Sequence, residues 1–294
     1  MAGLAGPGVG RLGLALSATK TRNSDWTKSH VKTYILSLPS AQERREFQTQ
    51  QASNLGLDAV FIDARSPADI SDVFFMSHAF SWERPLKITE VACFMSHYAV
   101  WDIIAKGDEP ALILEDDAIL ARHVSALLEW LSGLDHLDHV SLETRQRKKL
   151  IGHQSVLNAE LQISLQPLLQ DRTGAAAYVL WPAGARILLT KFMQHGMGLA
   201  DAFISSTYQL KSWQTLPAMA IQADMATFYG LSCPIPSHSL IAREKVPSPP
   251  TQGVGHDLLL KYRRLTGQFR LAARFLSCCW RARRQYVGID QENF

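Results

Sequence analysis

Between Val31 and Ile62 the sequence fits a strand, a helix and a second strand into the span of one βαβ unit, which commits this part of the chain to a parallel sheet with a helix on its face. Val31 to Leu38 is apolar and strand-like, and Pro39 stops it. Ser40-Ala41-Gln42-Glu43 has the form of a capping box opening a polar helix that runs to near Gly56, and Leu57 to Ile62 reads as the next strand. With 294 residues, 47% of them hydrophobic and 19% charged, the chain can bury a sizeable core as one large domain or as one domain with appendages.

After a variable stretch from Asp63 to Lys87, Thr89 is placed to cap a second helix. In it Val91, Phe94, Met95, Tyr98 and Trp101 form a core stripe, while Glu90, Cys93, His97 and Trp101 line a neighbouring face. Gly107 ends this helix, Asp108-Glu109-Pro110 turns, and Ala111 to Leu114 reads as a buried strand. That strand ends on Glu115, Asp116 and Asp117, three consecutive carboxylates that repel one another unless a cation sits among them. In an open α/β sheet ligands gather at the carboxyl ends of parallel strands, and oxygen ligands of this kind suit Mg²⁺ or Mn²⁺, which also hold a diphosphate. A solvated acidic loop, or acids in the first turn of a following helix, are the structural alternatives.

A charged, irregular region precedes the strand-like Thr173 to Leu180, after which Pro182 opens a helix through Phe192. Pro234 to Pro250 is loop-rich. Residues 1–30, rich in Gly, Ala and Ser with only a short, Gly-interrupted apolar run, read as a flexible tail; residues 31–256 form the main domain and residues 257–294 a basic segment. Net charge is +3, yet Lys261, Arg263, Arg264, Arg270, Arg274, Arg281, Arg283 and Arg284 crowd the C-terminal end. Between them lie Leu265, Phe269, Leu271, Phe275, Leu276 and Trp280, a pattern suited to an anionic membrane surface or to a helix packed on the domain. The stretch matches no DNA- or RNA-binding motif, so nucleic acid is not an expected partner. Cys93, Cys233, Cys278 and Cys279 show neither zinc-site spacing nor a disulfide framework, which points to a reducing compartment.

In order along the chain, Tyr34 to Leu38 with Arg44-Arg45, Phe61 to Ala64, Ile88 to His97 with its Glu, Cys and Ser-His, Leu112 to Asp117, and Gly174 to Tyr178 with Ala185 and Leu188 resemble glycosyltransferase family 25. The resemblance covers about Val31 to Asp201. It implies a GT-A-like, Rossmann-type mixed sheet flanked by helices, here with a basic helical C-terminal segment. The implied activity is inverting, metal-dependent transfer of a sugar, galactose from UDP-galactose above all, to a lipopolysaccharide or other surface-glycan acceptor. A cytoplasmic protein, peripheral at the inner face of the membrane, would meet such a glycolipid.

Under that resemblance Asp117 is a metal ligand, with Glu115 or Asp116 binding the metal or the ribose. Ser37, Leu38, Arg44 and Arg45 are assigned to nucleotide or phosphate, Glu90, Ser96 and His97 to the donor or the acidic loop, and Thr173 and Gly174 to close approach of the sugar. Asp201 is the expected general base, with Asp116 as a second catalytic acid; His238 and His256 could complete a metal shell on residue type alone. Two other readings stand beside this one: another metal-dependent nucleotide-processing enzyme, and a non-catalytic module that keeps the nucleotide-sugar fold. Leu38-Pro39-Ser40 is not the Gly-rich phosphate loop expected of a nucleotidyltransferase.

Overall fold

A computed structural model describes residues 30–172, 174–235 and 254–294, with side chains from 258 onward in the last stretch. The N-terminal tail up to residue 29, Thr173, His238 and the side chain of His256 lie outside the described residues. The chain opens with β1 (Lys32–Ser37), α1 (Gln42–Asn54) and β2 (Asp58–Asp63), and β1 pairs with β2 in parallel, as the βαβ spacing requires. The Ser40 capping box does not form. Ala41 donates its N–H to the Leu38 carbonyl, this turn carries Ser40 past the helix end, and Ala41 becomes an N-cap without a side-chain bond. Next come α2 (Asp72–His78), α3 (Ile88–Lys106), β3 (Ala111–Glu115), β4 (Ala118–Leu120) and α4 (Val124–Ser132). In α3 the N-cap is Lys87 rather than Thr89: Glu90, the third helical residue, reaches back to accept the Lys87 N–H at 2.8 Å.

The region expected to be irregular is instead strand-rich, holding β5 (His139–Ser141), β6 (Lys149–Gly152), β7 (Val156–Asn158) and β8 (Ile163–Gln170). Then follow β9 (Ala177–Leu180), α5 (Pro182–His195), α6 (Ala200–Ser205), β10 (Ser212–Leu216) and β11 (Ala220–Gln222). The basic segment is one helix, α7 (Val254–Cys278), succeeded by a strand, β12 (Ala282–Gln285). The helical character expected of this segment stops short of its end, because Arg283 and Arg284 lie in that strand, antiparallel to β6.

The strands form a ten-stranded mixed sheet ordered β12-β6-β8-β10-β5-β9-β3-β1-β2, with β7 beside β8, and β4 and β11 form a separate pair. β1 runs parallel to β2 and β3, and β10 to β5, while β9 lies antiparallel between β3 and β5. Alternation along the strands divides the core into two layers. Leu112, Leu114, Ala177 and Val179 join Val124, Leu127 and Leu128 of α4 on one face. Ala111, Ile113, Tyr178 and Leu180 meet Val91, Phe94 and Trp101 of α3, Leu188 of α5 and Phe203 of α6 on the other. This is the helix-flanked mixed α/β sheet that the family resemblance implies.

Candidate active site

From β1 the chain passes to β2 on one side and later to β3 on the other, so the carboxyl ends of β1 and β3 diverge around a crevice, the place where doubly wound sheets bind ligands. Glu115 ends β3 there. A cavity of about 780 Å³ opens over it, lined by Leu38, Arg44, Ser96, His97, Glu115, Asp116 and Asp117 among others. Helix α1 holds the acidic turn in place. Gln48 donates to the carbonyls of Asp116 and Ala118 at 3.1 and 2.8 Å, and Gln51 accepts the Leu120 N–H at 2.9 Å.

The three carboxylates have different partners. Asp116 receives the Ser37 hydroxyl at 2.8 Å and Arg44 Nη1 at 2.7 Å, so its charge is balanced within the protein. Asp117 has Arg44 at 3.8 Å through Oδ2, and its Oδ1 is buried with no hydrogen-bond partner among the described residues. Burial, with the charge of Glu115 second, pushes the Asp117 carboxyl up to about 7. Glu115 accepts from Gln222 Nε2 at 3.3 Å on one oxygen and lies 3.2 Å from His97 Nε2 on the other.

His97 belongs to a buried relay. Trp101 Nε1 donates to the Tyr178 hydroxyl at 2.8 Å, and that hydroxyl lies 3.0 Å from His97 Nδ1. All four groups are satisfied when Tyr178 donates to Nδ1 and Nε2–H donates to Glu115. His97 therefore orients the acidic loop, one of the two roles expected of it. Tyr178 and Trp101 act behind it.

The other sequence candidates separate. Leu38 lines the cavity and its carbonyl accepts Arg45 Nε at 3.1 Å. Arg45 also spans the Ser37 carbonyl at 2.8 Å and Asp63 at 2.5 Å and covers Phe61, which ties β1 to β2 instead of lining the cavity. Ser96 faces the cavity, but its hydroxyl donates to the Ala92 carbonyl and accepts the Arg65 N–H, both at 2.8 Å. Glu90 is engaged by Arg84 through two bonds of 2.9 and 2.7 Å besides its cap, so the structure does not bring it to the cavity with His97. Gly174 has φ +131°, a backbone conformation that favours glycine, and a Cβ there would stand 3.2 Å from Glu143 Oε1. Asp201 is the second residue of α6 and accepts the Ala202 N–H at 2.6 Å. Burial raises its pKa, and its carboxyl is within electrostatic reach of Glu115, Asp171 and Arg147.

Sequence reasoning missed Glu143. It follows β5 as Glu115 ends β3, at the same sheet edge, and its Oε2 is buried without a hydrogen-bond partner among the described residues. Burial pushes its carboxyl up to about 8 despite Lys149 nearby, whose ammonium is paired with Asp171 at 2.8 Å. The signal was a short strand followed by an acid, His139-Val140-Ser141-Leu142-Glu143, much as Leu112 to Leu114 leads to Glu115.

A cation fits this edge. Asp117 Oδ1 lacks a donor, Glu115 is held beside it, and both offer hard oxygens of the kind Mn²⁺ and Mg²⁺ take. Cys93, His97 and Glu115 also have ligand atoms within 4.8 Å of one another, but burial drives the Cys93 thiol well above its ordinary range, which opposes thiolate ligation.

The chain is a helix-flanked mixed α/β protein with an acidic cavity at the switch point of its sheet. Residues 30–203 match the model of glycosyltransferase family 25, described as LPS biosynthesis protein, and the chain belongs to that family. It is similar to the lacto-N-neotetraose biosynthesis glycosyltransferase LgtE of Neisseria gonorrhoeae, 28% identical over 171 residues, which are 55% of this chain and 61% of that protein. The lipooligosaccharide biosynthesis protein lic2B of Haemophilus influenzae is 33% identical over 103 residues, 33% of this chain and 39% of its own. A glycosyltransferase 25 family member of Aedes aegypti is 33% identical over 99 residues, 30% of this chain and 16% of its own. The chain thus spans less than two thirds of these relatives' length.

Proposed function

We propose that this chain is an inverting, metal-dependent glycosyltransferase of GT-A type that transfers a hexosyl group, galactose from UDP-galactose first, to a saccharide of a lipopolysaccharide or similar surface glycan. The observation that carries the reading is the unpartnered Asp117 Oδ1 beside Glu115 at the switch-point cavity. Family membership and the lacto-N-neotetraose and lipooligosaccharide relatives support the acceptor class. Asp117 and Glu115 would hold a divalent ion, which supplies positive charge for the departing diphosphate. Arg44, balanced by Asp116, adds a cation at the cavity wall, and Ser37 fixes Asp116 in that pairing. His97 keeps Glu115 oriented through Tyr178. Asp201 serves as the base that removes the acceptor hydroxyl proton; burial raises its pKa toward the range where a carboxylate accepts a proton effectively. An array of nucleotide sugars scored for Mn²⁺-dependent hydrolysis and transfer tests the reading, and no turnover with any donor would favour a non-catalytic module.

A second element of the reading is membrane contact through α7. Leu258, Tyr262, Leu265, Phe269 and Leu276 recur at helical spacing, and with Trp280 they are 56% to 76% exposed. The helix arginines turn the other way: Arg263 donates to the Phe80 carbonyl, and Arg274 donates to the Leu169 carbonyl at 2.9 Å. The apolar stripe therefore carries insertion, and exposed Lys261, Arg281, Arg283 and Arg284 supply the attraction to anionic headgroups. No helix among the described residues is long and apolar enough to cross a membrane.

A further inference from the structure

A second cavity, of about 870 Å³, lies between α5, α6 and the inward face of α7. Asp201 lies in α6 between Leu199 and Ala202 of the cavity wall, and the charges of Glu115 and of Arg147, another wall residue, both act on its carboxyl. The two acids in the wall are already matched, Asp171 by Lys149 at 2.8 Å and Glu83 by Arg270 at 3.7 Å. Arg147, Arg172 and Arg264 also line the wall, and none of them makes an ion pair within 4.0 Å among the described residues. Lys191 joins them and donates to the Phe203 carbonyl and the hydroxyls of Ser206 and Thr207, each at 2.8 Å, with no ion pair among the described residues. Burial lowers its pKa to about 7, so an anion entering the cavity would also restore its proton.

We infer that this cavity is the acceptor site and that it selects a saccharide carrying an anionic group, a phosphate monoester or a carboxylate, close to the reacting hydroxyl. Arg147, Arg172 and Arg264 border this cavity without an ion pair within 4.0 Å among the described residues, and a planar fork donor matches phosphate and carboxylate oxygens bidentately. The inference rests on the glycosyltransferase reading for the word acceptor. Recognition of an anion by the cavity can be measured separately.

The test uses the full chain loaded with UDP and Mn²⁺, titrated calorimetrically with methyl glucoside, glucose 6-phosphate and glucuronate as probes. Glucose 6-phosphate or glucuronate should bind at least 10-fold more tightly than methyl glucoside, the preference should shrink with added salt, and the order of the two anions identifies the group selected. Arg147→Gln with Arg264→Gln should abolish the preference, and Arg147→Lys with Arg264→Lys should retain most of it, which separates lost charge from lost fold. Equal affinity for all three probes, or a preference indifferent to both double variants, overturns the inference. Donor hydrolysis on the same preparation keeps the outcomes apart: no hydrolysis with any nucleotide sugar counts against the transferase reading, while hydrolysis without anion preference counts against this inference alone.

Discussion

Replacing Glu143 by Gln should stabilise the protein in alkaline solution and leave it nearly unchanged in acid. The side chain is 3% exposed, its Oε2 has no partner, and burial lifts its pKa from the ordinary 4.5 to about 8. Folding therefore takes up a proton at this site between those values, and stability falls as pH rises through that window because the unfolded state binds fewer protons. Each pH unit is worth about 1.4 kcal/mol, which bounds the burden on the wild-type protein above pH 8 at on the order of 5 kcal/mol. Gln has the shape of the protonated acid and carries no such term. Urea unfolding of both proteins in EDTA, at intervals from pH 4.5 to 9, should show the variant's advantage growing from near zero to several kcal/mol, with a melting difference of roughly 10 °C at the alkaline end. Parallel stability profiles across that range would refute the claim that Glu143 is held protonated by burial.

Tyr178→Phe removes the hydroxyl between Trp101 and His97, leaves two buried nitrogens short of a partner, and should cost about 1–3 kcal/mol of stability as read by urea midpoint. His97→Ala frees Glu115 and should raise the Mn²⁺ concentration for half-maximal donor hydrolysis by about 10-fold or more. Glu90→Ala should lower the melting temperature while UDP affinity in the folded fraction stays unchanged, because its bonds go to Arg84 and the Lys87 amide; a selective loss of UDP affinity would return Glu90 to the nucleotide site. Vesicle flotation should bring the protein up with anionic lipid, and Leu265→Asp with Phe269→Asp should abolish flotation with activity on a soluble acceptor intact; a sedimenting dimer without flotation would assign the stripe to a second copy instead.

Where apolar runs are punctuated by Pro, Gly or clustered acids, the elements were legible in the sequence. β1, β3 and α5 lie within a few residues of expectation for that reason, and the acidic edge followed from one strand and its last residue. The region between Ala121 and Gln170 was not, since β5, β6 and β7 are only three or four residues long and gain their stability from partners distant in sequence. Adjacent residues on a helix diverge by about 100°, so Arg44 and Arg45 could not both face one ligand, and only tertiary pairing with Asp116 and Asp63 assigns them. Helical spacing put Glu90 on the face of His97, but its position in the first turn, where free N–H groups attract a carboxylate, decided its partner. The arginines of α7 showed an amphipathic pattern without showing which side meets the domain.

The most direct measurement is the thermal shift given by UDP with and without Mn²⁺, on the wild-type protein and on Asp117→Asn. At 100-fold excess over its dissociation constant UDP should stabilise the wild type by about 2.7 kcal/mol, and only when Mn²⁺ is present. Asp117→Asn should fold, retain its far-ultraviolet spectrum, and show no Mn²⁺-dependent shift and no transfer, because the charged partner of Glu115 at the cavity floor is gone. A variant that still responds to UDP and Mn²⁺ as the wild type does would contradict the placement of the metal and diphosphate at the end of β3.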